Sequence, residues 1–207
     1  MEYRSGFVAV VGRPNVGKST LLNSLLKQKV AIVSDKPQTT RNTIRAVLTL
    51  PEAQIVFIDT PGIHRPLHKL GEYMVRSAKA TLTEVDLICF LVDISQWVKQ
   101  DQEIVELLQN VDTPVFLVAN KADLVSNEKQ EQFCLAIKTR YAFAEVMAVS
   151  AQEGTGLDDL VQAIVSYLPE GPQYYPDDWV TDHPEQFVMA ELIREQILHH
   201  TEEEIPH

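Results

Sequence analysis

Short apolar runs alternate with longer amphipathic stretches between residues 6 and 167. The apolar runs are rich in Val, Ile, Leu and Phe and predict buried strands at 7–12, 54–60, 86–93, 114–121 and 145–151. The amphipathic stretches predict helices at 18–26, 67–82, 100–108, 127–140 and 156–168. Residues 43–50 predict a sixth strand, which a short turn at 51–53 joins to its neighbour as an antiparallel hairpin. The predicted fold class is therefore α/β, with three layers and a mostly parallel six-stranded sheet that carries helices on both faces.

The alternation stops at a cluster of helix- and strand-breaking residues, Pro169, Gly171, Pro172 and Pro176. This cluster predicts one domain over residues 1–171 and a separate segment over 172–207. Within that segment, 184–200 has the pattern of one amphipathic helix. Because a lone helix cannot bury its own apolar face, the chain either enters a second domain here or docks this helix on the first one.

Charge and composition narrow the functional classes. The chain has a net charge of −11, and residues 172–207 hold nine acidic residues and one basic residue, a net charge of −8. Neither part has the basic character of a nucleic-acid surface. No apolar run approaches the ~18–20 residues that span a bilayer, and the first residues do not have the layout of a signal peptide. Cys89 and Cys134 lie in apolar patterns and are interpreted as buried reduced thiols, so we expect a cytoplasmic protein.

The first motif follows the first predicted strand and precedes a predicted helix. Residues 12–19, GRPNVGKS, match the phosphate-loop pattern G-x-x-x-x-G-K-[ST]. Its glycines let backbone amides approach a phosphate, Lys18 would neutralise the β- and γ-phosphates, and Ser19 would ligate Mg²⁺. The candidate nucleotide contacts in this loop are Gly12, Arg13, Pro14, Asn15, Val16, Gly17, Lys18, Ser19 and Thr20.

Two further segments predict the metal and γ-phosphate end of the site. The sequence DTPG follows a buried strand, and it contributes Asp59, Thr60, Pro61 and Gly62. Asp59 would hold Mg²⁺, usually through water, and the Gly62 amide would meet the γ-phosphate. In the polar loop SDKPQTTRNT, Thr40 would complete the metal shell, with Thr39 as the alternative. The predicted metal ligands are thus Ser19, Thr40 and Asp59, and the predicted catalytic groups are Lys18, Thr40 and Gly62.

The base-binding end follows the last two strands. The Asp123 carboxylate in NKAD can accept two hydrogen bonds from guanine, whereas adenine would leave that carboxylate without donors. Asn120 would tie neighbouring loops together and contact the base, and the Lys121 stem would lie along the ring. The Ala151 amide would bind the guanine O6 atom while Ser150 supports Asp123. All these motifs follow strand carboxyl ends, where ligands bind in open α/β sheets, and so they predict a GTP/GDP site.

With these motifs in hand, the chain resembles the Ras-like P-loop GTPases related to translation factors, and more narrowly the Era family. GRPNVGKST, the Thr-Thr-Arg loop, DTPG, NKAD and VSA carry the broad resemblance, and the tail from 172 is similar to the linker and opening helix of the Era KH domain. The resemblance implies GTP hydrolysis with Mg²⁺, a role in maturing the small ribosomal subunit, and binding of ribosomal RNA through the KH domain. We further expect a monomer, with peripheral association at the inner face of the cell membrane as an additional expectation.

The sequence departs from these patterns at two places. A KH domain clamps RNA with a G-x-x-G loop, and no glycine follows Pro172, so we expect this chain not to bind RNA tightly. Ile63 stands where Ras-type enzymes carry a water-orienting glutamine, which implies slow intrinsic hydrolysis. Relatives hold a potassium ion with the asparagine at the position of Asn15. Asn15 therefore either helps to bind K⁺ here or only braces the loop.

Three other functions stay open at this point. A metabolic kinase or ATPase on the same fold is disfavoured by NKAD, and a nucleotide competition assay would decide. A GTP-binding interaction module with little turnover is compatible with Ile63. A related ribosome-assembly or tRNA-modification GTPase is the alternative within the superfamily.

Overall fold

The structure is a computed structural model, and it describes residues 2–33, 44–59, 84–109 and 111–200. Its strands are β1 (Arg4–Val11), β2 (Ile44–Thr49), β3 (Ala53–Asp59), β4 (Leu87–Asp93), β5 (Val115–Asn120) and β6 (Glu145–Ala148). Its helices are α1 (Lys18–Leu26), α2 (Lys99–Leu108), α3 (Asn127–Arg140), α4 (Leu157–Tyr167) and α5 (Glu185–His200), with a 3₁₀ turn at Ala122–Leu124. The predicted helix at 67–82 lies outside the described residues.

The six strands form one sheet in the order β2-β3-β1-β4-β5-β6. β2 and β3 are the antiparallel hairpin that the sequence predicted, and all other neighbours are parallel. The order reverses beside β1, because the chain runs from β1 to the edge strand β2, returns through β3 to the side of β1, and then crosses to β4 on its other side. Such a switch point is where open α/β sheets bind ligands at the strand carboxyl ends.

Alternating residues of the strands feed two separate cores. Val8 and Val10 of β1 pack with α1 and α4 on one face, and Ala9 and Val11 pack with α2 and α3 on the other. Because successive strand residues point to opposite faces, an unbroken apolar strand needs helices on both sides. The predicted three-layer α/β fold is therefore confirmed, and β1 lies inside the sheet with helices packed on both of its faces.

The boundary of β6 differs from the prediction. The strand was expected to run to residue 151, but it ends at Ala148. The chain then makes a tight turn in which Ser150 bridges Thr155. Gly156 closes this turn with a φ of 74°, and a Cβ at this position would lie 2.9 Å from the Ala148 carbonyl oxygen. The Ser150–Ala151 pair therefore sits on a turn rather than on a strand.

The segment after residue 171 lies against the sheet and does not leave it. The Val180 carbonyl accepts a hydrogen bond from the Val47 amide of β2 at 2.9 Å. Buried Gln54 of β3 accepts hydrogen bonds from the amides of Tyr174 and Tyr175 at 2.8 and 2.9 Å. These contacts join residues 172–183 to the outer strands of the first domain. The division at residue 171 itself stays a prediction.

Helix α5 is anchored near the end of the first described segment. Glu195 is 2% exposed and accepts a hydrogen bond from the Val33 amide at 2.9 Å. Its carboxylate also pairs with Lys29. Leu198 is buried too, whereas Met189 and Ile193 are exposed. One side of α5 thus contacts the domain. Within the described residues, no helix has the length and apolar character needed to cross a membrane.

Candidate functional site

The loop between β1 and α1 is shaped by glycines at two positions. A Cβ on Gly12 would lie 2.5 Å from the Leu91 carbonyl oxygen of β4. Gly17 has a φ of 100°, in the region that favours glycine, and its Cα faces the Asn120 side chain. A side chain at either position would push the loop away from the strand ends. The glycines of the phosphate motif are thus required by packing as well as by access of a ligand.

Lys18 is buried inside this loop and is hydrogen-bonded to its backbone. Its Nζ donates hydrogen bonds to the carbonyl oxygens of Gly12 at 3.2 Å and Arg13 at 3.1 Å. Burial lowers the pKa of Lys18 to about 8, Asp59 opposes this shift, and Arg13 adds to it. An incoming phosphate could accept the third hydrogen bond of this ammonium group and would add full negative charge beside it. Lys18 is therefore poised to gain electrostatic energy from a polyphosphate.

Ser19 and Asp59 meet at the carboxyl end of β3. The Ser19 hydroxyl donates to Asp59 Oδ2 at 3.1 Å, and Asp59 is fully buried. A hydroxyl and a carboxylate this close fit the hard oxygen ligands that Mg²⁺ prefers. Among the described residues, no group of three or more His, Cys, Asp or Glu side chains could hold a metal. A magnesium ion here would therefore rely on Ser19, on Asp59 directly or through water, and on oxygens of the nucleotide and solvent.

The base end of the site is organised around Asn120, the last residue of β5. Its Nδ2 donates to the Val16 carbonyl of the phosphate loop at 2.8 Å. Its Oδ1 accepts a hydrogen bond from the Ala151 amide at 2.9 Å. The predicted link between neighbouring loops is therefore present in the structure. The Ala151 amide, which the sequence assigned to the guanine O6 atom, is engaged by Asn120 here.

Asp123 and Ser150 come together as the sequence suggested. The Ser150 hydroxyl donates to Asp123 Oδ1 at 2.5 Å, and it accepts a hydrogen bond from the Glu153 amide at 3.1 Å. Ser150 is buried while Asp123 is exposed at the domain surface. The hydroxyl thus fixes the orientation of a carboxylate that faces outward. Such a carboxylate can accept a pair of donors from a planar ligand.

Asp93 has a different role from the expected one. An aspartate directly after a buried strand predicts a cap for the following helix, but α2 begins only at Lys99. Asp93 instead accepts hydrogen bonds from the Ser95 amide at 3.0 Å and from Lys121 Nζ at 2.8 Å. Burial alone would raise the pKa of Asp93, but the hydrogen bonds from Lys121 and Ser95 lower it to about 2. Asp93 therefore places the Lys121 side chain beside the base-binding end, and the capping prediction is wrong.

Three residues that no motif indicated also shape the site. Asn23 of α1 accepts hydrogen bonds from the amides of Val30 and Ala31 at 2.9 and 3.0 Å, so it clamps the chain after the helix. Ser24 donates to the Ala151 carbonyl at 2.5 Å. Asp101 lies in contact with Arg13 of the phosphate loop. For Asn23 and Ser24, the only indication in the sequence was a polar side chain within the apolar pattern of α1. For Asp101, nothing in the sequence indicated a role in the site.

Several predicted contacts fall outside the described residues. They are Thr39, Thr40, Thr60, Pro61 and Gly62, and Ile63 also lies outside them. Of the remaining loop residues, Val16 is fully buried in the core that contains α1, Pro14 and Thr20 are half-buried, and Asn15 is exposed with a φ of 64°. The assignments of these residues to nucleotide stay predictions.

Comparison with known proteins gives one family and close structural relatives. Residues 7–121 match the family described as 50S ribosome-binding GTPase. A crystal structure of Era in complex with MgGDPNP and a fragment of 16S ribosomal RNA is 42% identical, with a TM-score of 0.93, and covers 99% of this chain and 70% of that chain. An Aquifex aeolicus Era variant bound to GDP and aluminium fluoride is 43% identical, with a TM-score of 0.90, over 98% of this chain and 70% of that chain. The apo elongation factor SelB from Methanococcus maripaludis, 18% identical with a TM-score of 0.60 over 85% of this chain and 36% of that chain, shares the fold alone.

Proposed function

This chain is a P-loop GTPase that belongs to the 50S ribosome-binding GTPase family and, within it, to the Era proteins; from that premise we propose that it is a GTP-hydrolysing switch acting in assembly of the small ribosomal subunit. Membership of the family sets aside the metabolic kinase and ATPase alternative.

The observation that carries the nucleotide assignment is the single hydrogen-bonded unit formed by Asn120 and its two neighbouring loops. Asn120 fixes the phosphate loop through Val16 and the base loop through Ala151, so both ends of a nucleotide site are held in one geometry. Beside it, Ser150 orients the Asp123 carboxylate. Guanine offers two adjacent donors to such a carboxylate. Adenine offers none in that place, and the unpaired carboxylate would oppose its binding.

The residues of the phosphate end contribute to phosphoryl transfer in two ways, by binding the nucleotide and by stabilising negative charge. Lys18, held by the two loop carbonyls, would contact the β- and γ-phosphates, and its charge would stabilise negative charge on the transferred group. Ser19 and Asp59 would hold Mg²⁺, which supplies further neutralisation of the phosphates. Thr40 and Gly62 are proposed to complete the metal shell and to contact the γ-phosphate. GTP, GDP and Mg²⁺ are thus the proposed ligands, consistent with the nucleotides present in the two Era structures.

The assignment of base choice is tested by nucleotide titration. We expect wild-type protein to prefer GTP to ATP, and Asp123→Asn to shift preference towards XTP, because the 2-oxo group of xanthine needs a donor. Asp158→Asn in the exposed first turn of α4 is the matched control and should leave the preference unchanged. Equal wild-type affinity for ATP and GTP would refute the assignment. A single-turnover assay on the same protein distinguishes a switch from a GTP-binding module with little hydrolysis.

A role on ribosomal RNA is proposed from the Era relative that is bound to a 16S fragment. This chain carries a net charge of −8 over residues 172–207, and that segment contains no G-x-x-G loop. We therefore expect residues 1–207 alone to bind 16S fragments weakly at physiological salt in a gel-shift assay. Tight, sequence-specific binding would show that these residues themselves hold an RNA surface. Binding to assembling small subunits but not to 16S fragments would favour a protein on the subunit as the partner.

We also propose a cytoplasmic monomer. Cys89 is buried, and burial raises the pKa of its thiol to about 12, as fits an unreactive reduced cysteine. Cys134 is free as well, but it is half-buried, so its predicted burial is wrong. Cell fractionation and light scattering test location and oligomeric state. Peripheral membrane association stays a prediction that the same fractionation would test.

A further inference from the structure

A buried ion pair connects the phosphate loop to helix α2. Arg13 Nε lies 3.3 Å from Asp101 Oδ1 and 3.4 Å from Asp101 Oδ2. Asp101 is fully buried and Arg13 is 9% exposed. Removing one member of a buried pair leaves an uncompensated charge in a medium that solvates it poorly. Each side chain therefore constrains the other.

Asp101 is itself held by a hydrogen bond at the start of its helix. It lies in the first turn of α2, and its Oδ2 accepts a hydrogen bond from the Val98 amide at 3.0 Å. The same helix buries Ile104 and Val105 in one of the two cores. The carboxylate is thus a fixed point that belongs to the packed domain and not to a surface loop. A fixed anion of this kind can locate a cation on a neighbouring loop.

Arg13 connects Asp101 to Lys18, the lysine proposed to bind phosphate. The carbonyl oxygen of Arg13 is one of the two that accept hydrogen bonds from Lys18 Nζ. The Arg13 charge also acts on Lys18, whose pKa is lowered by burial, raised by Asp59 and lowered further by Arg13. A rotation of the Arg13 peptide would therefore change both the geometry and the charge that Lys18 experiences. Asp101 opposes such a rotation, because its carboxylate holds the side chain of Arg13.

We propose that Asp101 is a positioning residue for nucleotide binding, which acts through Arg13 on the phosphate loop and on Lys18. This inference rests on the proposed function of the loop as a GTP and GDP site. Asp101 itself would not touch the nucleotide. Its effect is to keep the loop in the shape that accepts the β-phosphate, so its loss should weaken GDP and GTP binding together and leave the choice of base unchanged.

The test compares Asp101→Asn with Glu106→Gln, an exposed carboxylate on the same helix. For Asp101→Asn we expect GDP and GTP affinity to fall about tenfold with an unchanged GTP-to-XTP preference, and Asp101→Glu to recover part of the loss. Arg13→Met should cause a similar loss, and the double variant Arg13→Met with Asp101→Asn should be no worse than either single variant. Affinities are measured by titration of fluorescent GDP and GTP, with a urea unfolding curve for every variant.

The outcomes separate this inference from the proposed function. No GDP binding by wild-type protein overturns both. Wild-type binding with equal affinities for Asp101→Asn and Glu106→Gln overturns only the positioning role, as do strictly additive losses in the double variant. If Asp101→Asn does not fold, Asp101→Glu decides, because a carboxylate displaced by one methylene group should still weaken GDP binding. Unchanged affinity in that variant would also overturn the inference.

Discussion

Replacing Asn120 with alanine tests how far one side chain holds the site together. The side chain is 2% exposed and makes two hydrogen bonds, to the Val16 carbonyl at 2.8 Å and from the Ala151 amide at 2.9 Å. Both partners are backbone groups of buried residues, so the substitution leaves a buried acceptor and a buried donor without protein partners. Each such group costs ~1–3 kcal/mol, which gives a loss of about 2–6 kcal/mol in the free energy of unfolding.

The assay is urea unfolding of nucleotide-free protein, followed by circular dichroism. With a slope of about 2 kcal/mol per molar urea, a central loss of ~4 kcal/mol lowers the midpoint by ~2 M. Asn127→Ala, an exposed asparagine at the start of α3, is the matched control and should shift the midpoint little. If Asn120→Ala shifts the midpoint no more than Asn127→Ala does, water satisfies both backbone groups and the two loops are not held by this side chain.

Three further perturbations test other parts of the structure. Because the pKa of free Lys18 is about 8 and bound phosphates raise it, GDP affinity should change little between about pH 7 and 8 and fall by up to ~10-fold between about pH 8 and 9. Lys18→Arg, charged throughout, should bind more weakly but without that fall over the same range. If Asn15 helps to hold K⁺, GTP turnover should be faster in potassium than in sodium at matched ionic strength, and Asn15→Ala should remove the difference; equal wild-type rates would leave only the bracing role. Glu195→Ala should lower the free energy of unfolding by ~1–3 kcal/mol, because it removes the acceptor for the Val33 amide and the partner of Lys29. Glu195→Gln keeps the contact with the Val33 amide and should lower it less. Equal unfolding curves for both variants would argue against the Val33 contact.

The sequence predicted the layers and the motif positions because both depend on local pattern. Unbroken apolar runs require helices on both faces, and the phosphate loop must follow β1 to lie at the strand ends. Contacts between distant segments were harder to predict. The pair Arg13–Asp101 joins residues that are 88 positions apart, and nothing in the spacing of either links them. Asp93 was misjudged for the same reason, since its partner Lys121 lies on the neighbouring strand end.

Residues 180–182 also cover the outer edge of the sheet along β2. β2 is the last strand on its side, and a last strand carries backbone groups that can pair with a foreign chain. Here Ala46 forms a bridge with Thr181, and the Val47 amide is bonded to Val180. Arg45 and Asp182 add a charged pair at the same border, at 2.9 Å. A protein shortened to residues 1–171 would therefore expose unpaired backbone groups along β2. We expect it to aggregate faster than the 207-residue chain even where its nucleotide site is intact.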